Sequence, residues 1–503
     1  MKDKHLFSPS GLRGRRDSGG LLRILAFLLA FVTLTMLIPL AMAALYQERE
    51  MIRVFGLTII PALLITLPAL VGYRKQKAQF SVSGGFLLVC LAWVFTCLLG
   101  TFPYYLSGVL PRFIDAFFES VSGFSTTGAT IIADVESMPR SLLFWRAMTH
   151  WLGGMGIVVL TVAILPLLGV TGFQLVKAET TGPESDKIAP RITTTAKILW
   201  FLYMGLTVLQ AMLLMICGMD WFDAVYHAFS TIATGGFSSR NTSIAAWNSP
   251  WIDWVCIVFM ILAGFNFNLL WQLLRGKYRD VLYNSEARAY ALVILVGAGI
   301  CAFTLYSSGN TVPGEPLSLE LSIRQGLFQS VSFLSSTGFG IADHTLWPPL
   351  AQVVLFLIMF TGGCSGSTAG GIKLIRHVIL FKQMGNEMKK LLNPRGVFSI
   401  RFNGKVGRRN VVYGVAGFVF LYMALVFTSV LFLCAADLDI FTSINLALQA
   451  QGNIGLGLGQ SNFCAVVYGL PAAAKGWLCF IMIAGRLELW TVFALFSRIF
   501  RRR

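Results

Sequence analysis

Four short clusters in this chain carry residues that could hold a dehydrated cation: Thr126-Thr127-Gly128, Thr234-Gly235-Gly236, Ser336-Thr337-Gly338 and Asn453-Ile454-Gly455. Their chemistry is mostly backbone. Carbonyl oxygens are hard donors, and rings of them can replace the hydration shell of potassium. The glycine closing each cluster allows φ > 0 and removes the Cβ that would crowd a narrow axis. Thr126, Thr127, Thr234, Ser336 and Thr337 add hydroxyl oxygens. If the helices before the clusters point their C-termini at a common centre, the negative ends of their dipoles favour a monovalent cation over an anion. Any one cluster is explained as well by close helix packing; four in register, each after a half-length helix, are not.

A second kind of cluster lies at 361–371, where Gly362, Gly363, Gly366, Gly370 and Gly371 fall within ten residues of an apolar run, interleaved with Ser367 and Thr368. No helix should persist through it. An unwound stretch below the third loop would protrude into a pore and act as a gate; a packing kink is the alternative. Arg486, inside the last apolar run, is costly in lipid and is expected to face the interior. There it would bond the unwound carbonyls or repel cations. A structural pair with Glu488 is the bland reading, although residues two apart on a helix point in different directions. Asp115 and Asp223 open their half-helices and read as N-caps ahead of direct ion ligands. His150, His227, Arg146 and Lys475 sit near apolar boundaries and read as snorkelling or capping groups with no assigned function.

Such clusters need a scaffold at membrane depth, and the composition supplies one. Of 503 residues 56% are hydrophobic and 13% charged, far from the balance of a soluble domain. Runs such as Leu21 to Leu45, Val54 to Val71, Phe86 to Leu106 and Leu142 to Leu168 match the roughly 20 helical residues that cross a hydrocarbon core. The net charge of +17 does not mark a nucleic-acid binder. Of 40 Lys and Arg, 31 fall in six stretches, 1–23, 73–79, 172–197, 275–288, 373–409 and 498–503, which share one side if ten spanning segments are drawn. The positive-inside rule then places both termini in the cytoplasm. The nine cysteines show no CxxC spacing and read as small core residues.

The chain repeats one unit four times. DAFFESVSGFSTTGAT (115–130), DAVYHAFSTIATGGFS (223–238), RQGLFQSVSFLSSTGFG (324–340) and SINLALQAQGNIGLG (443–457) align without gaps on Gly128, Gly236, Gly338 and Gly455. Each unit reads as a spanning helix, a half-helix re-entering from outside, a loop and a second spanning helix. Non-helical backbone at this depth is tolerated only where protein buries it or it lines a water-filled cavity. The expected fold is therefore an all-α polytopic membrane protein. Residues 1–78 hold the N-terminus and an extra helix pair, 79–172 the first pore repeat, 173–285 the second, 286–392 the third with loop 361–371, and 393–503 a basic cytoplasmic loop and the fourth, in pseudo-fourfold arrangement.

STTGAT, TGGFS, SSTGFG and QGNIGLG at the loops, GGCSGSTAGGIK in the third unit and GRLEL in the last helix together resemble the Trk/Ktr/HKT superfamily of potassium transporters, and within it the membrane subunits of bacterial Trk systems (TrkH/TrkG type). The resemblance covers nearly the whole chain, and the N-terminal pair is similar to Trk rather than Ktr. It implies K+ as the transported ion with no organic cofactor, and the four clusters as its filter. It further implies 361–371 as an intramembrane gating loop partnered by Arg486, a homodimer, a cytosolic nucleotide-binding regulatory partner with RCK domains (TrkA-like), and the bacterial inner membrane as location. Glycine at all four filter positions is similar to the potassium-selective members. The fourth loop departs, since NIGLG lacks the Thr-Gly pair. Passive flux and symport with protons or sodium are both compatible with these residues. A cation-coupled secondary transporter built on broken helices is the competing class; an intramembrane enzyme would need paired ionisable groups at depth, and no HExxH, nucleophile elbow or GxGD-like aspartate is present. The basic segment 373–409, with a turn at Asn393-Pro394-Arg395-Gly396, suits anionic lipid or a docked cytosolic partner about equally.

Overall fold

The computed structural model describes residues 13–76, 82–159, 192–309, 318–396, 398–402, 405–406, 409–458 and 463–493. Both termini, the connection 160–191, and with them the side of the membrane on which the chain begins and ends and the boundaries drawn at 78 and 172, lie outside the described residues.

The chain is helical throughout its core, as its composition requires. Helices α1 (Arg13–Thr35), α2 (Leu37–Leu45) and α3 (Arg49–Gly72) form the N-terminal group. Then come α4 (Val82–Leu106), α5 (Phe113–Phe124) and α6 (Arg140–Val159); α7 (Ile192–Ile216), α8 (Trp221–Ile232), α9 (Pro250–Gly264), α10 (Phe267–Leu274) and the short α11 (Tyr278–Leu282); α12 (Ser285–Ser308), α13 (Leu319–Leu334), α14 (Pro349–Met359) and α15 (Leu374–Leu392); and α16 (Arg409–Cys434), α17 (Ile440–Gly452), α18 (Phe463–Gly469) and α19 (Ala472–Arg486). One departure from all-α is a two-residue antiparallel pair, β1 (Arg401–Phe402) with β2 (Lys405–Val406), in the basic loop. The turn expected at 393–396 forms, with the Gly396 amide donating to Asn393 O at 2.9 Å.

Six helices are long and apolar enough to cross a membrane, and α9 with α10 makes a seventh if that pair, bent by 106°, counts as one span. Helices α6, α14 with α15, and α19 lie where the other three expected segments fall, and among the described residues they are not both long and apolar enough to cross by the same measure. The outside of α3 presents Leu57, Ile60, Leu64 and Ile65, a surface that suits lipid rather than water. The chain is a multi-pass membrane protein.

The half-length helices α5, α8, α13 and α17 set the architecture. A 12-residue helix such as α5 rises about 18 Å, roughly half a bilayer. Each packs against the two long helices of its own unit and one of a neighbour: α5 on α4, α6 and α19; α8 on α7, α9 and α6; α13 on α12, α14 and α9; α17 on α16, α19 and α14. The neighbour contributing that third helix is always the preceding unit, and unit four precedes unit one. The pore helices therefore stand in a closed ring.

Candidate functional site: the ring of loops and the segment beneath it

Each pore helix ends with the same backbone gesture. The residue just past the C-cap region turns left-handed at Thr126 (φ 55°), Thr234 (φ 55°), Ser336 (φ 56°) and Asn453 (φ 52°), and two residues later Gly128, Gly236 and Gly338 again take φ near 80°. Asn tolerates the left-handed region, but Thr, β-branched, is there at a cost of order 1–3 kcal/mol, and such outliers cluster at functional sites. Tight C-terminal turns hold the conformation: the amides of Thr127 and Gly235 donate back to Ser122 O and Ser230 O, and that of Ile454 to Gln449 O, at 2.8–3.0 Å.

The loops meet in cyclic order. A Cβ placed on Gly128 would lie 2.0 Å from Gly235 O, one on Gly236 2.0 Å from Thr337 O, one on Gly338 2.7 Å from Gly455 N, and one on Gly455 3.0 Å from Thr127 O. No side chain fits at the first three positions without moving backbone. The four loops singled out in the sequence are thus brought together, with the glycine of each against the backbone of the following loop.

The support behind each loop differs. In loops one and three a hydroxyl pair braces the turn, Ser125 with Thr127 at 2.7 Å and Ser335 with Thr337 at 2.8 Å. Loop two has glycine at the matching position, Gly235, and the His150 ring fills the space, its nearest atom 2.3 Å from where a Cβ would be. That ring is fixed between Gly123 O and the Phe237 amide, with Nδ1 donating at 2.7 Å and Nε2 accepting at 3.1 Å. In loop four Ile454 replaces the hydroxyl and Asn453 turns outward from its own loop.

Three readings of single charged residues need correction. Asp115 and Asp223 do not cap their helices: Asp220, Ser318 and Asp439 cap α8, α13 and α17, and no side chain caps α5. Asp115, one turn in, receives Lys475 Nζ at 2.6 Å, with both groups buried. Asp223 receives Ser239 Oγ at 2.6 Å and Arg240 Nη2 at 3.2 Å. Nor do Arg146, Lys475, His150 and His227 snorkel; all four are buried inside the protein, because each has a dedicated partner. Arg146 Nε lies 2.7 Å from Glu119 Oε1, donates from Nη1 to Tyr226 and Ser238 O at 3.0 Å, and stacks 3.5 Å over Phe237. Glu119 in turn accepts from Thr130 Oγ1 and the Ile131 amide, tying α5 to the loop that follows it.

Beneath the ring, 361–371 is non-helical as expected, linking α14 to α15. Gly362 and Gly371 pack against one another, with Gly366 and Gly371 at φ 70°. The Gly362 amide donates to Ile372 O at 2.8 Å, and Gly363 O accepts from Leu374 N at 3.2 Å. Ser367 bonds back to Cys364 O. The tip then reaches the pore helices: Thr368 Oγ1 donates to Ile232 O at 3.0 Å, the Gly370 amide to Ser336 Oγ at 2.6 Å, and a Cβ on Gly370 would strike Gly452 O. Arg486 Nη1 donates to Thr368 O. The Arg486–Glu488 pairing does not form; Glu488 binds Arg376 on α15.

Two further anchors of this segment escaped sequence reasoning. Glu286, buried at the start of α12, accepts from Ser365 N at 2.6 Å and Ser365 Oγ at 2.7 Å. The break between α9 and α10 docks on it too, with Cys364 N donating to Gly264 O at 2.9 Å and Phe267 N to Gly366 O at 3.3 Å. The only signal for Glu286 was its place, with Asp280, in a basic stretch, and nothing pointed it toward Ser365.

Comparison with known proteins agrees with this architecture. A family model described as TrkH, cation transport protein, matches residues 53–501. The chain is 38% identical over 493 residues to the Trk system potassium uptake protein TrkH of Halomonas elongata, covering 96% of this chain and 99% of that one. It is also 38% identical over 485 residues to the TrkH of Escherichia coli K12, covering 95% and 98%. The crystal structure of the potassium transporter TrkH from Vibrio parahaemolyticus superposes with a TM-score of 0.83 at 33% identity, over 95% of this chain and 98% of that one. Repeated re-entrant helices, the glycine ring and near-complete coverage by these relatives lead to one conclusion: the chain belongs to the TrkH family of cation transport proteins.

Proposed function

We propose that this chain takes up potassium through a filter made by residues 126–128, 234–236, 336–338 and 453–455. The observation that carries the reading is the closed ring of left-handed turns and glycines that leave no room for a Cβ. A dehydrated potassium ion needs several oxygen donors at fixed spacing, and backbone carbonyls held by packed loops supply them without a formal charge that would bind the ion too tightly to release. The C-terminal ends of four pore helices add negative potential at the centre. Lys475, Arg146 and Arg324 neutralise the buried carboxylates Asp115, Glu119 and Asp253, so the attraction comes from oriented dipoles rather than net acid.

The segment 361–371 acts as the gate. It lies against the inner ends of α8 and α17, is irregular backbone that can rearrange without breaking a helix ladder, and is pinned by Arg486, whose charge also opposes cation passage. The full assembly is ten spanning helices with both termini in the cytoplasm of a bacterial cell, in the inner membrane, as a homodimer on a nucleotide-binding RCK-domain regulator. The basic segment 373–409 is the surface for that regulator or for anionic lipid. These last features rest on the resemblance and on charge placement.

The test is rubidium or potassium uptake in a potassium-transport-deficient bacterium expressing the chain, with sodium as competitor. Uptake that excess sodium barely inhibits supports the reading. Equal sodium flux overturns the filter, and strict dependence on a sodium or proton gradient would favour coupled transport.

A further inference from the structure

The fourth loop lacks the threonine that braces loops one and three, and its own side chain is used elsewhere. Asn453 Nδ2 donates to Thr127 Oγ1 of loop one at 3.0 Å and to Met482 O of α19 at 2.9 Å. The second bond fixes the amide: exchanging N and O would set Oδ1 against the Met482 carbonyl. Because Nδ2 can only donate, Thr127 Oγ1 accepts from it; with Ser125 Oγ directed to Ser122 O at 3.4 Å, Thr127 is left to direct its own proton to Ser125 Oγ, 2.7 Å away. The donor chain thus starts at Asn453, whose amide is also anchored on α19, and runs across the seam into the end of α5. In loop three the matching pair, Ser335 and Thr337, has no such donor from a neighbouring loop among the described residues.

We propose that the Asn453 side chain is a specificity-determining positioning group: it substitutes for the missing fourth-loop hydroxyl by orienting Thr127 across the seam between units four and one. This rests on the potassium-filter reading above. The consequence is geometric. Thr127 O lies 3.0 Å from where a Cβ on Gly455 would be, so Thr127 contributes to the ring wall, and its Oγ1 is held by Asn453. Without the amide, the Ser125–Thr127 pair can reverse and Thr127 gains rotamer freedom. A looser ring discriminates less against the smaller sodium ion. The left-handed backbone at Asn453 explains why asparagine serves here, since it tolerates φ > 0 and carries a donor long enough to cross to the next loop.

The experiment is a double-mutant cycle read as potassium over sodium discrimination in uptake, alongside the amount of each variant recovered from membranes. Asn453→Gly keeps the φ > 0 backbone and removes the amide; Thr127→Val removes the hydroxyl at nearly constant shape. Each should lower discrimination about fivefold, the effect of one hydrogen bond. The double variant should fall no further, because both break the same chain. Thr127→Ser, which keeps the hydroxyl, should stay closer to the starting protein than Thr127→Val. Undiminished discrimination in Asn453→Gly, or losses that multiply in the double variant, would overturn the proposal. Should Asn453→Gly not reach the membrane, unaltered discrimination in Thr127→Val alone would do so. If the unsubstituted chain itself fails to prefer potassium, the filter reading falls first, and this inference with it.

Discussion

The ring of loops and the segment beneath it are both irregular backbone, yet they are held in different ways. Every seam of the ring carries its own brace. Units one and two are joined by Arg146 to Tyr226 and Ser238 and by His150 to Phe237; units two and three by Asp253 with Arg324; units three and four by His344 Nε2 to Gly457 O at 2.9 Å; and units four and one by Asp115 with Lys475 and by Asn453 with Thr127. The segment at 361–371 is held instead by hydrogen bonds scattered over several elements: two from Ser365 to Glu286, two at the break between α9 and α10, and others to Arg486, Ile232 and Ser336. On the filter-and-gate reading proposed above, the ring needs a fixed geometry, and two of its seams are crossed by buried ion pairs; the segment needs to rearrange, and its hydrogen bonds, spread over separate partners, can be exchanged piecemeal.

Breaking the ring should cost most. Lys475→Met leaves Asp115 buried beside no cation and should destabilise the fold by about 3–5 kcal/mol, whereas adding Asp115→Leu should restore much of it, since a packed apolar pair can replace a buried ion pair. Thermal unfolding in detergent reads both, and a single variant as stable as the parent would show the brace to be idle. Attacking the segment should instead release flux. Arg486→Gln loses the charged bond to Thr368 O and should raise basal uptake about tenfold with discrimination unchanged. Glu286→Ala, which frees Ser365, should do the same by a few-fold. A shift in discrimination rather than rate in either variant would mean that ring and segment are not separable.

The smallest effect belongs to the seam at His344, which lies outside the spanning helices. Burial pushes its imidazole pKa down from the ordinary value near 6.5, partly offset by the bonds to Gly457 O and Ala342 O and by Asp343. The folded state therefore binds its proton less readily than the unfolded one. That contribution to stability is intact above the ordinary value and declines as pH falls below it toward the depressed one. Stability should drop slightly below about pH 6.5, and His344→Gln should flatten that slope; an identical slope in both would assign it elsewhere.

The ring was legible because its glycines recur at matched distance from matching helices, a signal that backbone requirements write directly into sequence. Loop 361–371 was legible for the same reason, five glycines being incompatible with a helix. The braces were not. Asp115 and Asp223 stand where either a cap or an ion pair could use a carboxylate, and only the fold reveals that Asp220 does the capping while Lys475, 360 positions away, meets Asp115. Glu286 and Ser365, 79 positions apart, carry no mutual signal. Asn453 was read as a backbone donor; that its side chain leaves its own loop follows from the left-handed turn, which a single sequence does not announce. The 106° bend after Gly264 also went unseen, since Phe265-Asn266 carries no breaker beyond Asn266, which caps α10.

The most direct test of the ring is Gly128→Ser compared with the parent chain for rubidium uptake against a sodium challenge. At φ 78°, with Gly235 O 2.0 Å from the new Cβ, the substituted loop must move. The account predicts that uptake collapses or becomes sodium-permeable while the protein still reaches the membrane. Uptake and discrimination identical to the parent would contradict it, because a ring that accepts a side chain there is not the selective element.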